Sequence, residues 1–137
     1  LSASDVNLIF DLEKKKMTTY CNAIQLEQVI SNLVINAKHA VYESSKKDIT
    51  ISSRLRDGRA IIEIHDTGTG IPEDIIEKIF DPFFTTKDVG KGTGLGLSIS
   101  YGIISEHNGN LSVTSSPTSG TTFRITLPIQ PVSTDFE

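Results

Sequence analysis

Cysteine is all but missing. Cys21 stands alone, so the chain can form no internal disulfide and suits a reducing compartment. No histidine neighbours it in sequence, and it reads as a structural residue rather than a nucleophile. No apolar run approaches the roughly 18 residues that a membrane-spanning helix needs, and no signal-peptide pattern is evident. Basic residues do not gather either. Lys14-Lys15-Lys16 is short and the formal net charge is -4, which argues against a nucleic-acid partner. Two common phosphate-binding signatures are absent: no Gly-Lys-Ser/Thr stands at Walker A spacing, and no Gly-x-Gly-x-x-Gly occurs. Internal repeats and low-complexity segments are absent too.

What is present begins with an ordinary globular composition. The 137 residues, 37% hydrophobic and 22% charged, suit one domain that buries roughly 68% of its unfolded surface. The most distinctive stretch is Gly90-Lys91-Gly92-Thr93-Gly94-Leu95-Gly96-Leu97-Ser98, with glycine at every second position. Lacking Cβ atoms, such backbone can lay peptide N–H groups against a ligand. An apolar helical pattern starts inside the glycines (Leu95, Leu97, Ile99, Tyr101, Ile103, Ile104). Its N-terminal N–H groups and dipole therefore face the loop, which makes an anion site, with phosphate the usual anion. Read alone, the same stretch also fits a flexible hinge.

Periodicity gives the rest of the order. Val6 to Leu12 alternates as a strand, with Leu8, Phe10 and Leu12 on one face. Asn22 to Tyr42 carries a helical stripe through Leu26, Val29, Ile30, Leu33, Val34, Ala37, Ala40 and Val41. Ile49 to Leu55 and Ala60 to His65 read as strands joined by Asp57-Gly58, a strong hairpin signal. Pro72 to Phe80 reads as a short helix with Glu73 and Asp74 in its first turn. Asp81 to Thr93 has no period and is long enough to be a functional loop or lid. After a helix from Leu95 to His107 and a turn at Asn108-Gly109, Leu111 to Ser115 and Thr121 to Leu127 form two more strands. Residues 1–130 are read as the domain and 131–137 as a frayed tail. The predicted fold class is α+β: a two-layer sandwich whose five-stranded, mixed and mostly antiparallel sheet carries three helices on one face.

Several polar groups stand beside this framework. Asn32, Asn36 and His39 fall near one face of the first long helix, at the edge of the apolar stripe. An asparagine carbonyl is a hard neutral oxygen suited to a Mg²⁺ that keeps its waters and phosphate ligands; bonding to backbone or water is the alternative. Asp66-Thr67-Gly68-Thr69-Gly70-Ile71 follows a strand directly. A carboxylate there can accept from an exocyclic amine such as that of adenine, and the glycines let a flat base approach; read alone, the segment is equally a plain turn with an acid. Phe80-Asp81-Pro82-Phe83-Phe84-Thr85-Thr86-Lys87 puts aromatics and a lysine at the mouth of the long loop. Exposed phenylalanines there would serve as a loop anchor or as a contact with another protein.

Taken in order, these segments resemble a known family. Asn32-Leu33-Val34-Ile35-Asn36-Ala37, Asp66-x-Gly68-x-Gly70-Ile71, Phe80-x-Pro82-Phe83-Phe84-Thr85-Thr86-Lys87, Gly92-Thr93-Gly94-Leu95-Gly96-Leu97 and Gly120-Thr121-Thr122-Phe123 are similar to the N, G1, F, G2 and G3 boxes of the catalytic, ATP-binding domain of bacterial sensor histidine kinases. The resemblance runs from about Val6 to Leu127. It implies the Bergerat ATP fold shared with gyrase, Hsp90 and MutL, with ATP and Mg²⁺ as ligands. By the same resemblance Asn36 holds the metal, Asp66 reads adenine, Gly68, Gly70 and Ile71 flank the base, and Thr122 lies beneath it through water. Asn32, His39 and Ala40 line the nucleotide helix. Thr85, Thr86, Lys87, Lys91 and the Gly92–Leu97 backbone (Gly92, Thr93, Gly94, Leu95, Gly96, Leu97) contact the phosphates from a mobile lid. Asn36 and Lys87 are the residues it makes catalytic.

Two departures qualify the carry-over. The position three after Asn36 is often lysine in that family; here it is His39, beside Lys38, and a role at the phosphates and packing at the helix edge both stay open. None of His39, His65 and His107 sits in a His-Glu context, so the phosphorylated histidine is expected on a separate dimerisation and phosphoacceptor domain, with a response regulator downstream. The resemblance makes the domain cytoplasmic, without direct membrane contact, in a parent that can be membrane-anchored. Its hydrolytic relatives carry a glutamate four residues before the metal-binding asparagine, where this chain has Asn32. An ATP hydrolase or conformational clamp, and a module that binds ATP without chemistry, are the alternative functions.

Overall fold

The computed structural model describes residues 5–19, 21–82, 84 and 96–129. Among these, five strands and three helices follow one another as β1 (Asn7–Asp11), α1 (Ala23–Val41), β2 (Asp48–Arg56), β3 (Arg59–Asp66), α2 (Glu73–Ile76), α3 (Gly96–Glu106), β4 (Asn110–Ser116) and β5 (Gly120–Pro128). The strands form one sheet in the order β1-β2-β3-β5-β4. β1 runs parallel to β2 and every other neighbouring pair is antiparallel, as the alternation and hairpin signals predict.

Register decides which residues meet the helices. Ile51 stands opposite Ile64, Ile64 opposite Phe123, and Phe123 opposite Val113. Each strand therefore gives alternate residues to one face, where Ile49, Ile64, Phe123, Ile125, Leu127 and Leu111 pack against Val29, Leu33 and Ala37 of α1 and Ile103 and Ile104 of α3. The opposite face is largely polar, with Thr50, Ser52, Arg54, Glu63, His65 and Arg124; Arg124 bonds Glu63 at 2.6 Å. At the β2–β3 hairpin, Asp57 and Gly58 both take positive φ (55° and 74°), the pairing that a two-residue primed turn demands.

Helix α1 begins on a capped end: the Asn22 side chain accepts the Gln25 N–H at 3.0 Å. The Asn22 N–H is in turn accepted by His107 Nε2 at 3.0 Å, while His107 Nδ1 lies 2.7 Å from the Ile103 carbonyl. A carbonyl can only accept, so the proton sits on Nδ1 and the ring is the neutral tautomer. This bridge ties the start of α1 to the end of α3, and the two helices run antiparallel, side by side.

Helix α1 covers β2 and β3, and α3 covers β4. Two helices, each about 10 Å across, span roughly four strands at about 4.8 Å spacing. The edge strand β1 is left over. Leu8, Phe10 and Leu12 lie on the core-side face as the alternation predicts, yet they remain exposed, Phe10 to 61%. The predicted helix from Pro72 to Phe80 shrinks to the single turn of α2. Its N-cap, Pro72, offers no side-chain hydrogen bond. The chain then continues in three-residue turns, Lys78 N–H to Ile75 O, Asp81 N–H to Lys78 O and Phe84 N–H to Asp81 O. Burial of Ile79, and packing of Phe80 against Phe123 and Tyr101 with ring centroids 6.3 and 5.2 Å away, hold this segment. Phe80 and Phe84 are thus anchors packed on the core, not exposed contacts; Phe83 lies outside the described residues, as does the predicted 131–137 tail.

Candidate adenine and phosphate site

One end of the sandwich gathers the polar residues. Asp66 is the last residue of β3, in phase with Ile62 and Ile64, so its carboxylate enters on the core side and is only 2% exposed. It accepts the Gly68 N–H at 2.8 Å and the backbone N–H of Thr121, its partner across the strand pair. Burial raises its carboxyl above the ordinary carboxylate value, opposed by the Gly68 N–H, by the charge on nearby His65 and by the Thr121 N–H. The site holds an acceptor with little water around it, the setting in which a hydrogen bond discriminates most.

The glycines after Asp66 have a reason within the protein itself. A Cβ on Gly68 would lie 2.5 Å from the carbonyl oxygen of Ala40 in the last turn of α1. Gly70 has φ of 86°, and a Cβ there would stand 2.7 Å from the Ser116 carbonyl. Backbone of the protein itself forbids a side chain at both places. We expect Gly68→Ala to lower stability by about 1–3 kcal/mol, because α1 must move. Gly102→Ala, in α3 with nothing within 4 Å of its Cβ, should instead gain about 0.4–1 kcal/mol. Urea unfolding of the two variants checks the contrast.

This close approach seats Ala40 directly against the Asp66–Gly70 segment. Asn36 stands one turn earlier on α1 and is half-buried. Asn32, a further turn back, sends its Nδ2 toward the Gly96 carbonyl at 3.5 Å and Ser100 Oγ at 3.3 Å. Because α1 and α3 are antiparallel and meet at Asn32, the N-terminus of α3 opens toward the end of α1 that carries Asn36 and Ala40. The positive end of its dipole thus faces the same region as Asp66. Leu97 packs on the core and Ile71 does too, its N–H bonded to Ser115 Oγ at 2.7 Å. His39 is exposed. Thr85, Thr86, Lys87, Lys91, Gly92, Thr93, Gly94 and Leu95 lie outside the described residues.

Thr122 needs correcting. It points to the polar outer face, where its hydroxyl meets His65 Nδ1 at 2.7 Å. The threonine beside Asp66 is Thr121, which is buried. The signal was available in the sequence: Phe123, Ile125 and Leu127 fix the inward phase of β5, and Thr121 shares it. Ser115, in phase with Leu111 and Val113 on β4, was missed for the same reason.

Among the described residues no three His, Cys, Asp or Glu side chains come together as a metal cage. The neutral amide of Asn36, beside a helix N-terminus, matches an ion that arrives with its nucleotide and keeps most of its own ligands. Among the described residues, no helix is long and apolar enough to cross a membrane.

Residues 21–131 match the family described as histidine kinase-, DNA gyrase B-, and HSP90-like ATPase. The chain is 43% identical over 143 residues to the sensor kinase CckA of Brucella abortus, covering 93% of this chain and 15% of that protein. It is 38% identical over 125 residues to the sensor protein FixL of Bradyrhizobium diazoefficiens, covering 90% of this chain and 24% of that protein. It therefore spans less than a quarter of either relative's length. Among solved structures, the nucleotide-free catalytic domain of histidine kinase ThkA superposes with a TM-score of 0.79 at 34% identity, covering 92% of this chain and 82% of that one. The chain belongs to the histidine kinase-, DNA gyrase B- and HSP90-like ATPase family, as a catalytic ATP-binding domain of the sensor histidine kinase type.

Proposed function

We propose that this domain binds ATP with Mg²⁺ and delivers the γ-phosphoryl group to a histidine on a separate phosphoacceptor domain, within a two-component system that ends on a response regulator. Asp66 accepts from the amine of adenine. Asn36 offers the protein oxygen to the metal, which when bound neutralises charge on the phosphates. The N-terminus of α3 and the glycine-rich segment before it supply N–H groups to the phosphates, and Lys87 supplies a cation there. His39 stands at the exposed rim of the same helix. A loose phosphoryl-transfer transition state asks for positioning and charge neutralisation rather than covalent work. The acceptor imidazole is itself the nucleophile, so the domain needs no base to activate water.

The observation that carries this reading over hydrolysis is Asn32. It stands one turn before Asn36, and its amide is engaged with Gly96 O and Ser100 Oγ across the α1–α3 seam. An amide has no useful basicity, and the only carboxylate within α1 is Glu27, nine residues before Asn36 and on the far side of the helix. Base activation of water is worth about 10²–10⁴-fold, so hydrolysis should be slow. The domain is incubated with γ-labelled ATP, Mg²⁺ and the histidine-bearing helical hairpin of its own parent. We expect acid-labile, base-stable label on the hairpin and little free phosphate. Brisk phosphate release without label on the hairpin would establish the hydrolase reading instead.

A further inference from the structure

We propose that the end of the sheet opposite Asp66 is a docking site for an acidic, carboxylate-bearing segment of a partner protein, gripped by Arg56 and Arg59. The chain has four arginines, Arg54, Arg56, Arg59 and Arg124. Strand phase puts all of them on the sheet face turned away from α1 and α3. Two are neutralised within the molecule: Arg54 meets Asp11 at 2.6 Å and Arg124 meets Glu63 at 2.6 Å. Arg56 and Arg59 are exposed and face each other directly across the β2–β3 hairpin. Among the described residues neither side chain has an ion pair or a hydrogen bond, and the Asp57 carboxylate in the turn joins neither. Like charges directly opposite each other cost stability, so nothing among the described residues accounts for this pair.

A cleft adjoins the pair. Arg59, Asn108, Asn110 and Thr126 line about 240 Å³ of open space beside Pro128. That is below the roughly 300–1,000 Å³ of a small-molecule pocket and suits an amino-acid side chain. Asn110 stands opposite Thr126, and Arg59 opposite Pro128, so neighbouring strands hold the lining in place. A Cβ on Gly109 would collide with the Thr126 carbonyl. The turn between α3 and β4 therefore lies tight on β5, and a preformed wall lowers the ordering cost of binding. The carbonyls of Ile103, Ile104 and Ser105 that end α3 are already taken by the N–H groups of His107, Asn108 and Gly109, so little negative charge faces the cleft. Guanidinium forks match carboxylates two bonds at a time, and the amides and hydroxyl of the cleft serve the peptide groups around them. A nucleic acid would call for a basic stripe, where this face offers two unpaired cations. Arg59 and Asp66 close the two ends of β3, roughly 23 Å apart at about 3.3 Å per residue. A partner held at one end leaves the other open.

The probe is a fluorescein-labelled hexaglutamate peptide, titrated into the domain at low ionic strength, where exposed ion pairs are least screened. Amide chemical shifts should move most at residues 56–59, 108–110 and 126, and little at residues 66–70. Arg56→Gln/Arg59→Gln should weaken peptide binding about tenfold, the loss expected of two exposed ion pairs. Lys14→Gln/Lys15→Gln, which removes the same charge elsewhere, should leave the affinity unchanged. Without peptide, the double arginine variant should melt slightly higher than the wild type, because a like-charge pair is relieved. Equal losses in the two double variants would reduce the effect to general charge attraction and overturn the proposal. A peptide that does not bind, or that shifts residues 66–70 most, overturns it as well. A lower melting temperature in Arg56→Gln/Arg59→Gln would make the pair a structural one. An oligothymidylate of equal charge that displaces the peptide from the same amides would make the surface one for nucleic acid, and the proposal falls there too.

Discussion

Asn36→Ala should cost about 10³-fold in the rate of phosphoryl transfer to the acceptor histidine while leaving the fold intact. The residue lies within α1 and alanine is the strongest helix former, so the helix itself should persist. Its side chain is half-buried, one turn beyond the Asn32 that meets the start of α3, and is not part of the Val29, Leu33, Ala37 core. On the proposed assignment the substitution removes one hard oxygen from the metal and phosphates, where charge stabilisation amounts to several kcal/mol, with each 1.36 kcal/mol a factor of ten. Initial rates with saturating MgATP, alongside a melting curve, separate the two effects. A rate within threefold of the wild type would remove Asn36 from the phosphate site.

Asp66→Asn should weaken ATP binding about 10²-fold, since a hydrogen bond to a buried charged acceptor contributes roughly 1.5–3 kcal/mol. The variant keeps the shape but turns one acceptor oxygen into a donor facing donors, among them the Gly68 and Thr121 N–H groups. The pH dependence carries a second signature. Burial raises the Asp66 carboxyl above its ordinary value of 3.8, so on acidification it protonates earlier than an exposed aspartate and ATP affinity falls as pH drops through that raised value. The stability term has the opposite sense. A raised value in the fold means that the group favours folding below 3.8 and that this contribution is lost as pH rises through the raised value. At neutral pH the ionised carboxylate therefore lowers stability, and on the proposed assignment it is kept for the acceptor it provides. Calorimetry across the acidic range should show falling affinity in the wild type and a flat profile in Asp66→Asn. Equal slopes would place the titration elsewhere.

Much of this molecule was legible as a string because its local chemistry is strong. Asp57-Gly58 specifies a primed turn whatever surrounds it, the Asn22 cap and the stripe from Val29 to Val41 specify α1, and five spaced motifs specify the family. Asp66 could be singled out because its segment stands in order with four other motifs; read alone it is a turn with an acid. Adjacent residues of equal chemistry are told apart only by strand phase, which motif spacing does not carry and the apolar alternation of β5 does. Thr121 and Thr122 differ only in which face of β5 they occupy, and the register with β3 puts the first beside Asp66 and the second beside His65. The glycines looked like room for a base, yet the approach of Ala40 and Ser116 backbone is what excludes a side chain, a contact between segments far apart in sequence. The exposure of Phe10 follows from the width of two helices against five strands, a quantity no single segment carries. Sequence by itself determined the elements, their order and the family, because turns, caps and periodicities are short-range. Tertiary structure alone decided that β5 lies beside β3 with the Thr121 N–H on Asp66, how Ser115 joins three elements and which strand goes uncovered, because register and close approach exist only between segments.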